Sequence, residues 1–166
     1  MAILVNSDYT LRLILESDLF FLKEVYASTR ENEMKQLPHW SPEMINAFIN
    51  QQFEAQHVYY QNNYSGADFW VIEKENLPIG RLYFQRNFEN KTSRIIDISI
   101  LPEYRNKGIG QRILLNILND AQKENKKVSI HVEAFNPAMK LYERLGFEKI
   151  SETNGIYFLF EWKPKN

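Results

Sequence analysis

Two glycines, Gly108 and Gly110, lie where an apolar stretch gives way to an amphipathic one. Before them, residues 95–101 form a β-branched, apolar run that predicts a strand. Pro102 ends this strand, because proline cannot donate to a central ladder. After the glycines, apolar residues recur with the period of an α-helix. The apolar positions of this helix are Ile109, Ile113, Leu114, Ile117, Leu118 and Ala121.

A strand, a glycine-containing loop and a helix N-terminus, in this order, offer free backbone N–H groups and the positive end of a helix dipole. Together these features bind an anion. Three cations flank the two glycines: Arg105, Lys107 and Arg112. The stretch therefore predicts a phosphate-binding loop, and the alternative is a loop whose glycines serve only tight backbone geometry.

Two common phosphate motifs are missing from this loop. The chain has no G-x-x-x-x-G-K-[ST] run, which a P-loop requires. The position of the third glycine in a dinucleotide fingerprint is occupied by Ile113. The ligand is therefore a phosphate compound that a different motif recognises.

The amino-acid composition limits the classes of protein to which this chain can belong. The 166 residues, of which 44% are hydrophobic and 25% charged, suit one globular domain with a sizeable core. A net charge of −1 without a basic stripe argues against nucleic acid as a partner. The absence of cysteine excludes disulfides, thiolate metal sites and a cysteine nucleophile, and we expect no metal cofactor. No membrane span and no signal peptide are recognisable, so we expect a cytoplasmic protein.

The remaining pattern predicts alternating helices and strands in the order β, α, α, β, β, β, α, β, α, β, β, an α+β arrangement with a mixed sheet. In the first half we predict a strand at 9–15, a helix from Ser17 or Asp18 to about Ser28, and a helix starting at Ser41-Pro42 and reaching about Tyr60. Two hairpin strands follow at 69–74 and 79–86, with turns at Glu75-Asn76 and 88–93.

In the second half the helix behind Gly110 is expected to end near Asn125, and a strand follows at 128–132. A short helix spans 137–145 and is closed by Gly146, a left-handed C-cap. The last two strands, 147–151 and 156–162, form a hairpin that turns at Asn154-Gly155.

Two motifs resemble those of the GNAT-type N-acetyltransferase superfamily. Arg105-Asn106-Lys107-Gly108-Ile109-Gly110 resembles its acetyl-CoA loop, [RQ]-x-x-G-x-[GA]. The segment from Asn136 to Phe147 is similar to N-x-x-A-x-x-L-Y-[EK]-x-x-G-F, except that Asn136 lies six residues before Tyr142 where the family commonly has seven. The predicted element order also matches the GNAT fold, so the resemblance covers nearly the whole chain.

The resemblance implies a single GNAT domain over residues 1–166, with a mixed, mostly antiparallel sheet of about seven strands, flanked by helices and splayed between strands 4 and 5. It implies transfer of the acetyl group of acetyl-CoA to a primary amine of a small molecule or peptide, by direct attack in a ternary complex. The cofactor-binding residues implied are Ile98, Ser99, Ile100, Arg105, Asn106, Lys107, Gly108, Ile109, Gly110, Gln111, Asn136 and Tyr142.

The resemblance also assigns catalytic roles. Tyr142 becomes the general acid that protonates the leaving thiolate, although by its position alone it would be a core tyrosine. For the general base, His131 and Glu133 share one face of a strand, and His131 falls where some family members carry a catalytic carboxylate. Asp97 is a third candidate, and a chain of water molecules without a dedicated base is an alternative.

The acceptor amine is not readable from these residues. The region where the family varies is aromatic here, which suits either a cage for a cationic amine or ordinary packing. Two other classes of protein are alternatives: a non-catalytic CoA- or acyl-CoA-binding regulatory module, and an unrelated nucleotide-binding domain. An exposed strand in the C-terminal hairpin could pair two subunits into a homodimer.

Overall fold

The computed structural model describes residues 8–166. Residues 1–7, which contain most of the segment inspected for a signal peptide, lie outside the described residues. Helices and strands follow the order predicted from the sequence. The strands are β1 (Thr10–Leu13), β2 (Asp68–Lys74), β3 (Leu77–Glu89), β4 (Thr92–Ile100), β5 (Lys127–Glu133), β6 (Glu148–Thr153) and β7 (Tyr157–Trp162). The α-helices are α1 (Leu19–Met34), α2 (Pro42–Asn63), α3 (Ile109–Lys123) and α4 (Met139–Arg144), and short 3₁₀ helices span Glu16–Asp18 and Pro102–Tyr104.

The strands form one seven-stranded sheet in the order β1-β2-β3-β4-β5-β7-β6. β1 pairs antiparallel with β2, and β7 pairs antiparallel with both β5 and β6, whereas β4 and β5 are parallel. The parallel ladder runs from Thr92 opposite Lys127 to Ile95 opposite Ile130. Because β4 continues to Ile100 and β5 to Glu133, the two strands part beyond this last pair. The predicted mixed sheet, splayed between strands 4 and 5, is confirmed.

The chain divides into two compact units, and the first contains the described residues 8–65, 69–82 and 99–105. Its core is formed where the inner faces of α1 and α2 pack on β2. The buried members of this core are Leu22, Tyr26, Ile49, Phe53 and Val71. Arg12 on β1 pairs with Asp18 at 2.8 Å and with Glu73 on β2 at 2.6 Å, which links three elements of this unit.

The second unit contains residues 66–68, 83–98 and 106–166. Helix α3 buries the apolar face predicted from its period, including Ile113 and Leu118. Strand β5 buries Val128, Ile130 and Val132. These side chains form a contiguous apolar layer, since α3 packs on β5. The organisation of residues 1–166 as a single GNAT domain stays a prediction.

Local sequence signals correctly predicted where α2 begins and where α4 ends. Ser41 caps α2 by accepting a hydrogen bond from the Met44 N–H at 3.2 Å, and Pro42 is the first helical residue, as predicted. Gly146 closes α4 with φ of 96°. Among residues 8–166, no helix has both the length and the apolar character needed to span a membrane.

Besides shifts of a few residues at other element ends, three features differ from the prediction. Helix α1 runs to Met34, because the charged stretch after Ser28 is itself helical and contains the pair Arg30–Glu33 at 2.8 Å. The turn predicted at 88–93 is the two-residue turn Asn90-Lys91, whose positive φ values suit the twist of a tight hairpin. Asp18 does not cap α1, because its carboxylate accepts hydrogen bonds from Arg12 and from the Leu15 N–H.

Candidate active site

The predicted phosphate loop leads directly into α3. Gly108 is the N-cap residue, with φ of 80° and ψ of 2°, and Asn106 also lies in the left-handed region with φ of 59°. The first intrahelical bond is donated by Arg112 to the Gly108 carbonyl at 3.0 Å, so the N–H groups of Ile109, Gly110 and Gln111 precede the helical ladder. The first turn contains no acidic residue, which leaves the positive end of the helix dipole suited to an anion.

Arg105 belongs to the first unit and is held there by two hydrogen bonds. Its Nε donates to the Ile100 carbonyl at 2.7 Å, and its Nη2 donates to Ser28 Oγ at 3.3 Å. The guanidinium thus links the end of β4 to α1. A role for Arg105 in binding phosphate stays a prediction, and in this structure its side chain supports the backbone at Ile100.

The end of β4 in the same unit requires a glycine that the sequence analysis did not single out. A Cβ on Gly80 would lie 2.3 Å from the Ser99 carbonyl oxygen, so no other residue fits without moving the backbone. Next to this approach, the Leu101 N–H donates to the Ile79 carbonyl at 2.8 Å. A glycine inside a strand pattern is the signal that could have predicted such a close approach.

In the second unit, Tyr142 lies on α4 and only 3% of its surface is exposed. Its ring meets Phe147 edge to face, with centroids 5.8 Å apart. Burial raises the pKa of the Tyr142 phenol well above its ordinary value, and the charge of Asp97 raises it further. The phenol therefore stays protonated at neutral pH, and Asp97 on β4 lies close enough to influence it.

His131 and Glu133 lie on β5 beyond the last rung of the parallel ladder, on the same face of the strand. His131 is exposed, whereas Glu133 is half-buried. The pKa of His131 is lowered by desolvation and, to a smaller extent, by the charge of Arg94. Near neutral pH its imidazole is consequently uncharged and able to accept a proton.

Asn136 has a structural role in the loop between β5 and α4. Its Oδ1 accepts a hydrogen bond from the Ala138 N–H at 2.9 Å, and its carbonyl accepts one from Met139 at 3.1 Å. The side chain thus orders the turn that leads into α4. This occupation of Oδ1 agrees with the altered spacing of the motif, and cofactor contact by Asn136 stays a prediction.

Arg94 on β4 was not singled out by the sequence analysis, although it is buried, with 7% of its surface exposed. Its Nε donates to Ser129 Oγ on β5 at 2.7 Å, and it influences His131 electrostatically. The strand predicted from the sequence begins at residue 95, just after Arg94, and no local pattern marks this arginine as buried. Within residues 8–166, no group of three His, Cys, Asp or Glu side chains could hold a metal ion.

The chain is similar to known proteins in sequence and in fold. Residues 65–149, just over half of the chain, match the family described as "Acetyltransferase (GNAT) domain". The chain belongs to this family of acetyltransferases, which confirms the family predicted from the two motifs. A curated relative, the N-alpha-acetyltransferase of Saccharolobus solfataricus, is 32% identical over 106 residues, which cover 55% of this chain and 63% of the relative.

Solved structures with the same fold include the PaiA N-acetyltransferase of Thermoplasma acidophilum in complex with coenzyme A. It has a TM-score of 0.68 at 20% identity and covers 93% of this chain and 98% of that one. A spermidine N-acetyltransferase chimera of Vibrio cholerae SpeG and hSSAT has a TM-score of 0.62 at 21% identity, with 94% and 95% covered. At these identities the likeness concerns the fold alone.

Proposed function

We propose that this protein transfers the acetyl group of acetyl-CoA to a primary amine by direct attack, with Tyr142 as general acid. The observation that carries the proposal is the chemistry found where β4 and β5 part. Beyond the last rung, β5 presents a histidine that is neutral near pH 7, and Asp97 on β4 lies near a tyrosine that stays protonated. Acetyl transfer needs one group that accepts a proton and one that donates it.

In the proposed reaction the amine nitrogen attacks the thioester carbonyl, and the carbon–sulfur bond breaks. The amine loses a proton to His131, directly or through water, and the departing thiolate takes a proton from Tyr142. A raised phenol pKa opposes complete transfer to a thiolate whose ordinary pKa is about 8.5. Burial raises the pKa of a thiol as well, so the same desolvated surroundings limit the growth of the difference between the two pKa values.

The phosphates of acetyl-CoA would bind the N–H groups that precede the ladder of α3. Backbone N–H groups and the helix dipole supply the attraction, and the left-handed Gly108 lets the backbone approach the anion without a side chain. Within the second unit, Ile98 and Tyr142 would contact the pantetheine arm. Contacts by Ser99, Ile100 and Arg105 stay predictions, as do a homodimer and a cytoplasmic location.

The glycine loop can be tested against a matched control. Gly108 and Gly155 both have positive φ, and a Cβ at either position meets no atom closer than the Arg112 Nη2, 3.9 Å from Gly108. Gly108→Val and Gly155→Val therefore impose a similar backbone strain. Calorimetry should show CoA binding abolished or weakened at least about tenfold in the first variant and unchanged in the second. Equal affinities would remove the phosphate loop from the proposal.

Activity is measured as thiol release from acetyl-CoA with a panel of amines, amino acids and peptides. Release above the hydrolysis background is expected, with intersecting initial-rate plots because both substrates bind before reaction. Binding of CoA without acetylation of any amine would favour the alternative, a regulatory CoA-binding module. Absence of both CoA binding and thiol release would overturn the proposed function itself.

A further inference from the structure

Arg94 presents an unusual electrostatic situation, because only 7% of its surface is exposed. No carboxylate among residues 8–166 forms an ion pair with its guanidinium. Burying a charge without a counter-charge is costly, so proteins normally pair such a group or leave it in contact with water. An arginine buried in this way calls for an explanation beyond packing.

The surroundings of Arg94 orient its guanidinium without neutralising it. Its Nε donates to the Ser129 hydroxyl at 2.7 Å, and its Cζ lies 4.3 Å from the centroid of the Phe88 ring. A hydroxyl and an aromatic face are both uncharged partners. The two Nη groups, which hold all the N–H donors of the guanidinium except that of Nε, are the part suited to a bidentate oxyanion.

The pairing of β4 with β5 places Arg94 near His131, the proposed general base. It is opposite Ser129 on β5, and His131 is two residues further along the same face of β5. Two residues of a strand span about 6.6 Å. The electrostatic influence of Arg94 on His131 agrees with this short separation. The two residues are therefore close enough for a single small molecule to span the distance between them.

On β5 and its neighbour β7, two carboxylates lie on the same face as Ser129. Glu161 on β7 is opposite Ser129, but it pairs with Lys127 at 3.3 Å. Glu133 is two residues beyond His131, further from the rung that Arg94 occupies. Arg94 forms no ion pair with either carboxylate, so these two groups do not neutralise its positive charge.

From these observations we infer that Arg94 binds an anionic group of the acceptor, so that the substrate is an amine that also carries a carboxylate or another oxyanion. Such a molecule would place its amine toward His131 and its oxyanion against the guanidinium. This inference rests on the proposed function and narrows its substrate class. It predicts that amino acids, or peptides with an acidic group near the amine, are better acceptors than polyamines.

Matched pairs of acceptors test the inference: glycine and glycinamide, β-alanine and its amide, 4-aminobutyrate and its amide. Wild-type protein should prefer the acid of at least one pair by about 10- to 100-fold in kcat/KM, the worth of one charge-assisted hydrogen bond. Arg94→Gln should bring that ratio close to one, and Arg94→Lys should retain part of it. Arg86→Gln is the control, because Arg86 is an exposed arginine on β3 that pairs with Glu124.

A second variant covers the case in which Arg94→Gln does not fold. Ser129→Ala keeps the charge but removes the hydrogen bond that orients it, so the preference for acids should shrink without vanishing. Binding of the same acids and amides to the protein–CoA complex, measured by calorimetry, provides a readout that needs no turnover. Arg94→Gln should weaken binding of the acid and leave binding of the amide unchanged.

The results separate this inference from the proposed function. If the enzyme acetylates amides or polyamines as well as acids, or if the acid preference survives in Arg94→Gln, the inference is wrong and the acetyltransferase proposal stands. If CoA binds but neither acids nor amides bind the complex, the inference is wrong too. Loss of CoA binding and of all acetylation in the wild type contradicts the proposed function.

Discussion

His57 in the first unit and His131 in the second have similar electrostatic surroundings. The pKa of each imidazole is lowered first by desolvation and then by a nearby arginine, Arg81 for His57 and Arg94 for His131. Both imidazoles are therefore uncharged near neutral pH. If a shifted pKa were enough to identify a general base, the two residues would be equally good candidates.

Their environments differ in ways that decide between them. His57 lies on α2, where its ring stacks on Phe53 at 5.7 Å, and its Nδ1 is buried without a hydrogen-bond partner among residues 8–166. His131 is exposed on a strand beyond the point where β4 and β5 part. His57 is half-buried and its ring packs in its own unit, whereas the exposure of His131 lets it meet a substrate. Access to solvent, added to the pKa shift, distinguishes a candidate base from a histidine that packs on its neighbours.

Tyr142→Phe should have the largest effect on catalysis in the second unit. Without the phenol hydroxyl, kcat should fall about 10²- to 10⁴-fold, the usual contribution of general acid–base catalysis, while acetyl-CoA affinity changes little. Tyr26→Phe is the matched control, because Tyr26 is 4% exposed and packs on Phe53 in the first unit. Stopped-assay thiol release measures both variants. If Tyr142→Phe has the same kcat as the wild type, Tyr142 is not the general acid.

Replacing the two histidines tests the comparison directly. His131→Gln should lower kcat/KM by about 10- to 100-fold, because the amine loses its proton acceptor. His57→Gln should leave kcat/KM within about twofold of the wild type and change only the thermal midpoint. The reverse outcome would show that His57, and not the exposed His131, takes part in the reaction. Equal activities of both variants and the wild type would support proton loss through water.

The pH dependence of activity gives a smaller but more specific effect. A general base must be unprotonated, so kcat/KM rises as pH passes through the pKa of His131. The cation of Arg94 disfavours a second positive charge and thereby lowers this pKa. Arg94→Gln should move the rising limb of the kcat/KM profile to higher pH, measured with an amide acceptor that has no carboxylate and compared with the wild type on the same amide. If the rising limb moves equally in Arg86→Gln, or does not move in Arg94→Gln, then Arg94 does not lower the pKa of His131 in the proposed way.

The pH dependence of stability follows from both histidines. Their folded pKa values lie below the ordinary 6.5, so at lower pH the unfolded chain binds more protons than the folded one. The stabilisation is complete above about pH 6.5 and is lost as pH falls through the folded values. His57→Gln should reduce the slope of the unfolding free energy by at most about 1.4 kcal/mol per pH unit. Urea titrations from mildly acidic to mildly basic pH measure this, and an unchanged slope would show that His57 titrates normally.

Much of the fold was readable from local patterns. The period of the α3 apolar residues, the Ser41-Pro42 start of α2 and the Asn154-Gly155 turn each depend on a few neighbouring residues, and each prediction is confirmed. The length of α1 was underestimated, because a charged run fits a solvated helix as well as it fits a loop. The two motifs that indicated the family are local in the same sense.

The contacts around the candidate site could not be predicted from local sequence patterns. Arg94 and Ser129 are 35 positions apart, and only the pairing of β4 with β5 brings them within 2.7 Å. The resemblance implied that Asn136 binds the cofactor, which stays a prediction, but its hydrogen bond from the Ala138 N–H to Oδ1 was not predicted. Hydrogen bonds across strands depend on register, and register emerges only when the sheet has formed.

The sequence by itself determined the family, the order of the elements and the loop that leads into α3, because turns, caps and apolar periods arise from neighbouring residues. The tertiary structure decided how far the pKa of each titratable group is shifted and which groups can meet a substrate. Desolvation and Coulomb interactions act through space, so the lowered pKa of His131, the raised pKa of Tyr142 and the buried charge of Arg94 exist only after distant segments have packed together.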